Sequence, residues 1–72
     1  MGESIHSKEY REISHKLKDA RLASSLTQSE VAIKLNKPQS YVSKIERGER
    51  RIDVVELKLL LKVYKKGLTD FF

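Results

Sequence analysis

The 72-residue chain contains no cysteine, only one proline and only three glycines. Without cysteine, disulfide bonds, thiolate zinc sites and cysteine nucleophiles are all excluded. No apolar run approaches the length of about 18 residues that a membrane span needs, and the first ten residues lack the apolar core of a signal peptide. The sequence therefore predicts neither membrane spanning nor export, and we expect a cytoplasmic protein.

Patterns that carry catalysis or bind metal are lacking as well. His6 and His15 are nine positions apart and share no ligand face, and no acidic cluster completes a metal site. Glu30 has a structural explanation, as part of a helix cap. With no nucleophile–base pair and no glycine loop that cradles phosphate, the sequence predicts a non-enzyme without metal or cofactor.

What the chain does have is positive charge. Fifteen lysines and arginines stand against ten acidic residues, which gives a formal charge of +5 and a pI near 9.6. This balance favours a polyanionic partner, either nucleic acid or an anionic membrane surface. At this length we expect a single domain over residues 1–72, with residues 1–7 as a flexible tail and only a modest core.

Apolar residues recur at the helical period, and no credible strand is found. Tyr10, Ile13, Leu17 and Ala20 are spaced by three or four positions, which predicts helix one from Ser7 to about Ser24.

The segment after helix one carries helix start and stop signals. Thr27 and Glu30 are spaced as a capping box, which predicts helix two over residues 28–35. Asn36 tolerates the left-handed backbone that ends helices, and Pro38 suits the entry to helix three. The break between the two helices is therefore a tight turn, and helix three must lean on helix two.

Helix three is predicted from Pro38 or Gln39 to Arg47, stopped by Gly48. At about 100° per residue, its polar side chains fall within an arc of roughly 140°, while Val42 and Ile45 point the other way. The polar arc contains Gln39, Ser40, Ser43, Lys44 and Arg47. Glutamine can meet adenine bidentately and lysine can reach guanine, which suits the DNA major groove. A plain solvated face is the alternative.

Helix four is predicted from the Asp53 cap to about Lys65, with Gly67 ending it before a short fifth helix in LTDFF. Its apolar residues form two stripes, Val54, Leu57, Leu61 and Tyr64 in one and Val55, Leu59 and Val63 in the other. The fifth helix, with Leu68, Phe71 and Phe72, is expected to cover one side. A second subunit is the natural cover for the rest, which makes Val55, Leu59, Val63, Phe71 and Phe72 dimer-interface candidates. The alternative is that the monomer core uses both stripes.

The segment LTQSEVAIKLNKPQSYVSKIERGERRIDVVELKLLLKVY resembles the Cro-like (XRE) helix-turn-helix family of phage repressors and small bacterial regulators, which includes restriction-modification controller proteins. The residues that match the family's pattern are Leu26, Thr27, Gln28, Glu30, Ala32, Leu35, Ser40, Ser43, Ile45, Glu46, Gly48 and Arg50. The resemblance covers about residues 10–72 and implies an all-α, five-helix bundle of the lambda-repressor-like type, with helices two and three as the helix-turn-helix. Two positions depart from the pattern: Asn36 stands where glycine is usual, and Pro38 replaces a Ser or Thr cap.

The resemblance also implies roles for single residues. The residues implied to contact bases are Gln39, Ser40, Ser43 and Lys44. Those implied to contact phosphates are Gln28, Arg47, Arg50 and Arg51. Arg21 and Glu46 correspond to a structural ion pair between helices one and three. For Tyr41 two interpretations stand, a contact with DNA or packing against helix two.

These observations predict a sequence-specific regulator of transcription that binds double-stranded DNA as a homodimer on a palindromic operator. The alternative is a protein-interaction module, such as an antitoxin that sequesters a toxin. Proteins of this kind can also contact RNA polymerase or a toxin, so either one is a further candidate partner. Binding at a membrane surface is disfavoured, because folding and groove docking already explain the basic and apolar residues of helix three.

Overall fold

The computed structural model describes residues 8–70, which form four α-helices and no strand. The helices are α1 (Lys8–Ala23), α2 (Gln28–Leu35), α3 (Gln39–Glu46) and α4 (Val54–Tyr64), and a 3₁₀ helix follows at Leu68–Asp70. The all-helical prediction is confirmed, and the bounds of the first four helices agree with those predicted to within one or two residues. The predicted tail at residues 1–7 and the dimer candidates Phe71 and Phe72 lie outside the described residues.

The prediction of a fifth α-helix is wrong for the described part of the chain. α4 ends at Tyr64 and is followed by Lys65, which has a left-handed φ of 57°, and a single 3₁₀ turn comes after it at Leu68–Asp70. That turn is closed by the Asp70 N–H, which donates to the Gly67 carbonyl at 3.1 Å, and by the Gly67 N–H, which donates to the Asp70 carboxylate at 2.8 Å. Aspartate competes for backbone groups in this way, and so short a segment has too few hydrogen bonds to offset helix nucleation.

The turn between α2 and α3 is tight, as predicted. Thr27 and Glu30 form a complete capping box at the start of α2. At its end Asn36 adopts the left-handed conformation with φ 57°, and the Lys37 N–H donates to the Ala32 carbonyl at 2.9 Å. Pro38 is the N-cap of α3 and makes no side-chain capping hydrogen bond, because proline lacks the hydroxyl of the serine or threonine that it replaces.

Gly48 ends α3 in a backbone conformation that favours glycine. Its φ is +74°, and its N–H donates to the Ile45 carbonyl at 3.1 Å. The Glu49 N–H reaches back to the Lys44 carbonyl at 2.8 Å. This is the Schellman arrangement, which redirects the chain sharply after α3 and starts the basic loop that leads to α4.

One core holds the four helices together. α3 packs on α1 and α2, and α4 also packs on α1 and α2. The buried apolar residues are Leu17, Ala20, Val31, Ala32, Tyr41, Val42, Ile45, Leu57, Leu60, Leu61 and Tyr64. Val42 and Ile45 lie inside this cluster, as the helical arc of α3 predicts, so the opposite arc of α3 faces outward.

The packing of α4 differs from the predicted stripes in two residues. Val54, a member of the first stripe, is 63% exposed, whereas Leu60, assigned to neither stripe, is 1% exposed. Val54 is the first residue of α4 and lies beyond the end of the core, while Leu57, Leu60, Leu61 and Tyr64 follow the i, i+3, i+4, i+7 pattern of a buried face.

The second apolar stripe of α4 lies partly against the core and partly at the surface. Val63 is half-buried and packs against the core cluster. Val55 and Leu59 remain 61% and 51% exposed. Together with Val54 they form an exposed apolar surface, here called the α4 apolar face.

A buried ion pair joins the last turn of α1 to the last turn of α3. Arg21 Nε lies 2.7 Å from Glu46 Oε2, and Arg21 Nη2 donates to Glu46 Oε1 at 3.1 Å. The two side chains are only 10% and 2% exposed. Arg21 Nη1 also donates to the Leu26 carbonyl at 2.9 Å, so the guanidinium ties α3 to the loop before α2 as well. The hydrogen bond to Glu46 raises the pKa of Arg21, because it stabilises the charged form.

We expect Arg21→Ala to lower the free energy of unfolding by about 3 kcal/mol, because it leaves Glu46 charged, buried and without its main partner. Arg47 provides a matched control, since it pairs with Glu49 at 3.1 Å while both side chains are more than half exposed. Arg47→Ala should cost less than about 1 kcal/mol. Denaturant titrations of the two variants measure the difference, and equal costs would contradict a structural role for the buried pair.

Candidate nucleic-acid interface

The outward face of α3 presents a compact set of polar side chains. Gln39, Ser40 and Lys44 are exposed and Ser43 is half-buried. These are the residues for which the sequence predicts base contacts. The buried side chains of the same helix are Tyr41, Val42, Ile45 and Glu46. An α-helix that packs one face on the protein core and exposes polar side chains on the other face can enter the major groove of DNA.

Gln28, expected to bind a phosphate, lies at the N-terminus of α2 and is half-buried between two other polar groups. Its Nε2 donates to Glu46 Oε1 at 3.0 Å, and its Oε1 accepts from Gln39 Nε2 at 3.3 Å. One N–H of the Gln28 amide therefore remains for an external partner. A phosphate contact through that N–H stays a prediction.

Tyr41 packs in the protein, which favours the second of its two interpretations, although its hydroxyl partner is on α4 and not on α2. The side chain is 8% exposed, and the hydroxyl donates to Glu56 Oε2 at 3.0 Å. Burial and the bond to Glu56 raise the pKa of Tyr41 to about 12. Two cations lie over its ring, with Arg50 Cζ at 4.6 Å and Lys37 Nζ at 5.3 Å from the centroid.

The three arginines predicted to contact phosphates occupy different settings. Arg47 is exposed and pairs with Glu49. Arg50 is engaged within the protein, since its Nη1 donates to Glu56 Oε1 at 3.2 Å and to the Arg51 carbonyl at 2.8 Å. Arg51 is exposed. Arg51 is therefore exposed, as a contact with phosphate requires, whereas Arg50 stabilises the loop and the start of α4.

Glu56 is a residue of this region that the sequence analysis missed. It completes a capping box with Asp53, because its Oε1 accepts from the Asp53 N–H at 3.1 Å. Burial opposes its ionisation, but the bonds from Asp53, Arg50 and Tyr41 outweigh burial and lower the pKa of Glu56. The three-residue spacing from Asp53 is the signal that could have identified it.

A hollow opens beside the N-terminus of α3 and is lined by Lys37, Pro38, Ser40, Tyr41, Lys44, Glu49 and Arg50. Lys37, which the sequence analysis did not assign to DNA, adds a cation to this side of the helix. Lys37, Lys44 and Arg50 bring three positive charges to this hollow and Glu49 brings one negative charge, so the flank of α3 is positively charged. Such a flank suits the phosphates that border a groove.

Within residues 8–70, no group of three or more histidine, cysteine or acidic side chains could hold a metal ion. None of the helices described there is long and apolar enough to cross a membrane.

Comparison with known proteins agrees with this geometry. Residues 17–71 match the profile of a family described as Helix-turn-helix, and the matched segment contains α2, the tight turn and α3. The chain belongs to the XRE-type helix-turn-helix family of DNA-binding transcriptional regulators. The resemblance seen in the sequence is thereby confirmed. A search of curated protein sequences finds no match.

Solved structures of restriction-modification controllers are similar to this helix-turn-helix chain. Wild-type C.Esp1396I is 32% identical, with 92% of this chain and 87% of that chain covered and a TM-score of 0.83. The C.Esp1396I tetramer in complex with its natural 35 base-pair operator gives a TM-score of 0.81 at 32% identity, again covering 92% of this chain and 87% of that one.

The different settings of Arg50 and Arg51 lead us to expect different effects of substitution. Arg51→Ala should leave stability within about 0.5 kcal/mol of wild type and flatten the plot of log affinity against log salt by roughly one unit. Arg50→Ala should instead lower the free energy of unfolding by about 1 kcal/mol, through loss of the Glu56 pair and the stacking on Tyr41.

Denaturant titration and DNA-binding titrations over a salt series separate these two effects. Equal stability losses for the two variants would contradict the assignment of Arg50 to the fold and of Arg51 to the phosphates.

Proposed function

We propose that this helix-turn-helix protein is a sequence-specific regulator that binds double-stranded DNA by placing α3 in the major groove. The observation that carries the proposal is the division of α3 into a buried face of Val42 and Ile45 and an exposed face of Gln39, Ser40 and Lys44. The exposed groups can both donate and accept hydrogen bonds, as base edges require. The chain would regulate by occupying an operator, either blocking RNA polymerase or contacting it.

The charge of the chain supports the same proposal. The formal charge is +5, and cations lie on the flank of α3 at Lys37, Lys44 and Arg50. Positive charge at the groove edge attracts phosphates of any sequence, whereas the amide of Gln39 can distinguish bases. The similar controller C.Esp1396I has been solved in complex with its natural operator, which adds support from outside this chain.

We expect Gln39→Ala and Lys44→Ala each to weaken binding to the preferred site by about 1 to 3 kcal/mol, with little effect on random DNA, because base contacts carry the specificity. The preferred site is first obtained by selecting bound duplexes from a random pool, and affinities are then measured on both DNAs. Arg51→Ala is the control, since a phosphate contact weakens both DNAs alike.

If Gln39→Ala and Lys44→Ala weaken specific and random duplexes equally, α3 is not the element that reads sequence.

We further propose that two copies associate through the α4 apolar face together with Val63, and we keep Phe71 and Phe72, which lie outside the described residues, as candidates for the same interface. Val54, Val55 and Leu59 are each more than half exposed on neighbouring turns of one helix. Burying such a surface is favourable at about 25 cal/mol per Å² of apolar area. A twofold axis at this face would present two copies of α3 to half-sites about 34 Å apart on a palindromic operator.

Sedimentation of the free chain and of its complex with the selected DNA tests this assembly. We expect a dimer at tens of micromolar, and Leu59→Lys should shift it to a monomer, because a charge would then face its own copy across the axis. Lys58→Ala, on the same helix but polar in the wild type, is the control. A wild-type monomer both free and on DNA would contradict the dimer.

The α4 apolar face also favours a second candidate function, that of a protein-interaction module such as an antitoxin that sequesters a toxin. An exposed apolar surface can accept a different chain as readily as a second copy. The selection from a random DNA pool distinguishes the two candidates. An enriched motif supports the DNA-binding regulator, while the absence of any enriched motif favours the interaction module.

A further inference from the structure

A second hollow lies on the C-terminal half of α4 and combines positive charge with apolar surface. It is lined by Lys58, Leu61, Lys62, Lys66 and Leu68 and is here called the α4 lysine hollow. Its three lysines are exposed, and none of its lining residues is acidic. Three positive charges therefore surround two leucines at the surface of the protein.

The end of α4 brings these residues together. Lys58 and Lys62 are four positions apart on the helix, so their side chains emerge about 6 Å apart along one side of it. α4 then ends in a Schellman arrangement, in which the Lys66 N–H donates to the Leu61 carbonyl at 2.9 Å. The chain turns there, and Lys66 and Leu68 come to line the same hollow as Leu61.

The positive charge of the α4 lysine hollow is not neutralised within residues 8–70. No ion pair reaches its three lysines there. The carboxylate of Glu56 pairs with Arg50. Asp70 borders a separate hollow beside Lys66, and its carboxylate accepts from the Gly67 N–H at 2.8 Å. Because like charges on neighbouring turns repel each other, the hollow favours an anionic partner.

The leucines of the hollow distinguish between two kinds of anionic partner. Leu61 is 3% exposed, whereas Leu68 is 39% exposed and could be covered by an apolar side chain of a partner. A protein segment can supply such a side chain next to a carboxylate, but the phosphate backbone of a nucleic acid cannot. The hollow therefore fits an acidic protein segment better than it fits DNA.

We propose that the α4 lysine hollow binds an acidic amphipathic helix of another protein. Glutamates four residues apart on such a helix are spaced by about 6 Å, as Lys58 and Lys62 are. An apolar residue three positions after each glutamate lies on the same face of the helix and reaches Leu68. No lining residue of the hollow belongs to α3 or to the basic loop, so this partner leaves α3 free to bind DNA.

Binding of a designed peptide to the full chain tests this proposal. The probe is a fluorescent helical peptide built from repeats of Glu-Ala-Ala-Leu, in which rows of glutamate and leucine lie side by side. We expect saturable binding, measured by fluorescence anisotropy. A second peptide with glutamine in place of every glutamate should bind roughly tenfold more weakly, because it forms no ion pairs with the lysines.

Substitutions in the chain locate the binding site of the peptide. Lys58→Gln and Lys62→Gln should each weaken binding by roughly two- to fivefold, the value of a surface ion pair. Lys18→Gln is the matched control, because it removes the same charge from an exposed position of α1 and should leave binding unchanged. Leu68→Ser should also weaken binding. Leu59→Ser, which changes an exposed leucine outside the hollow, should not.

DNA titrations over a salt series distinguish the peptide site from a phosphate contact. Lys58→Gln and Lys62→Gln should keep the wild-type dependence of log affinity on log salt, and a slope flattened by roughly one unit would assign the hollow to DNA and overturn the proposal. It is also overturned if the peptide shows no saturable binding, or if Lys18→Gln weakens binding as much as Lys58→Gln. None of these outcomes bears on base reading by α3, which fails only if the selection from random DNA enriches no motif or if the α3 variants lose no specificity.

Discussion

The arrangement of α1, α2 and α3 depends on the buried ion pair of Arg21 and Glu46. Its charges lie 2.7 Å apart where water is nearly excluded, so neither partner can be removed without leaving an isolated buried charge. Because Arg21 lies in the last turn of α1 and Glu46 is the last residue of α3, the pair holds the C-terminal end of α3 to α1. The same guanidinium reaches the Leu26 carbonyl, and the same carboxylate accepts from Gln28, so α2 is aligned with it.

A second contact holds the N-terminal half of α3. The hydroxyl of Tyr41 donates to Glu56, which also caps α4 and pairs with Arg50. With both ends of α3 tied to other helices, its exposed side chains project from a rigid base. Interfaces that distinguish sequences depend on such preorganisation, because ordering the side chains at the moment of binding would lower affinity.

Local sequence signals predicted much of this structure, and tertiary contacts account for what they missed. The Thr27–Glu30 capping box, Asn36 and Gly48 define helix ends through backbone chemistry that acts within a few residues. The predicted fifth helix was wrong, because Asp70 binds the backbone of its own short turn. Val54 is exposed although it belongs to the first apolar stripe of α4, because apolar spacing alone does not show where a core ends. The contact of Gln28 with Glu46 depends on how α2 meets α3, and the contact of Arg50 with Glu56 depends on how the loop after α3 meets α4. No pattern in the neighbouring sequence encodes either contact.

The central claim is that α3, held from within by the buried ion pair, reads bases in the major groove. A crystal structure of the chain on its selected duplex tests this most directly. The account predicts α3 inside the major groove, with the amide of Gln39 about 2.7 to 3.2 Å from the edge of a base. A complex in which the protein contacts only phosphates, or in which α3 lies outside the groove, would contradict it.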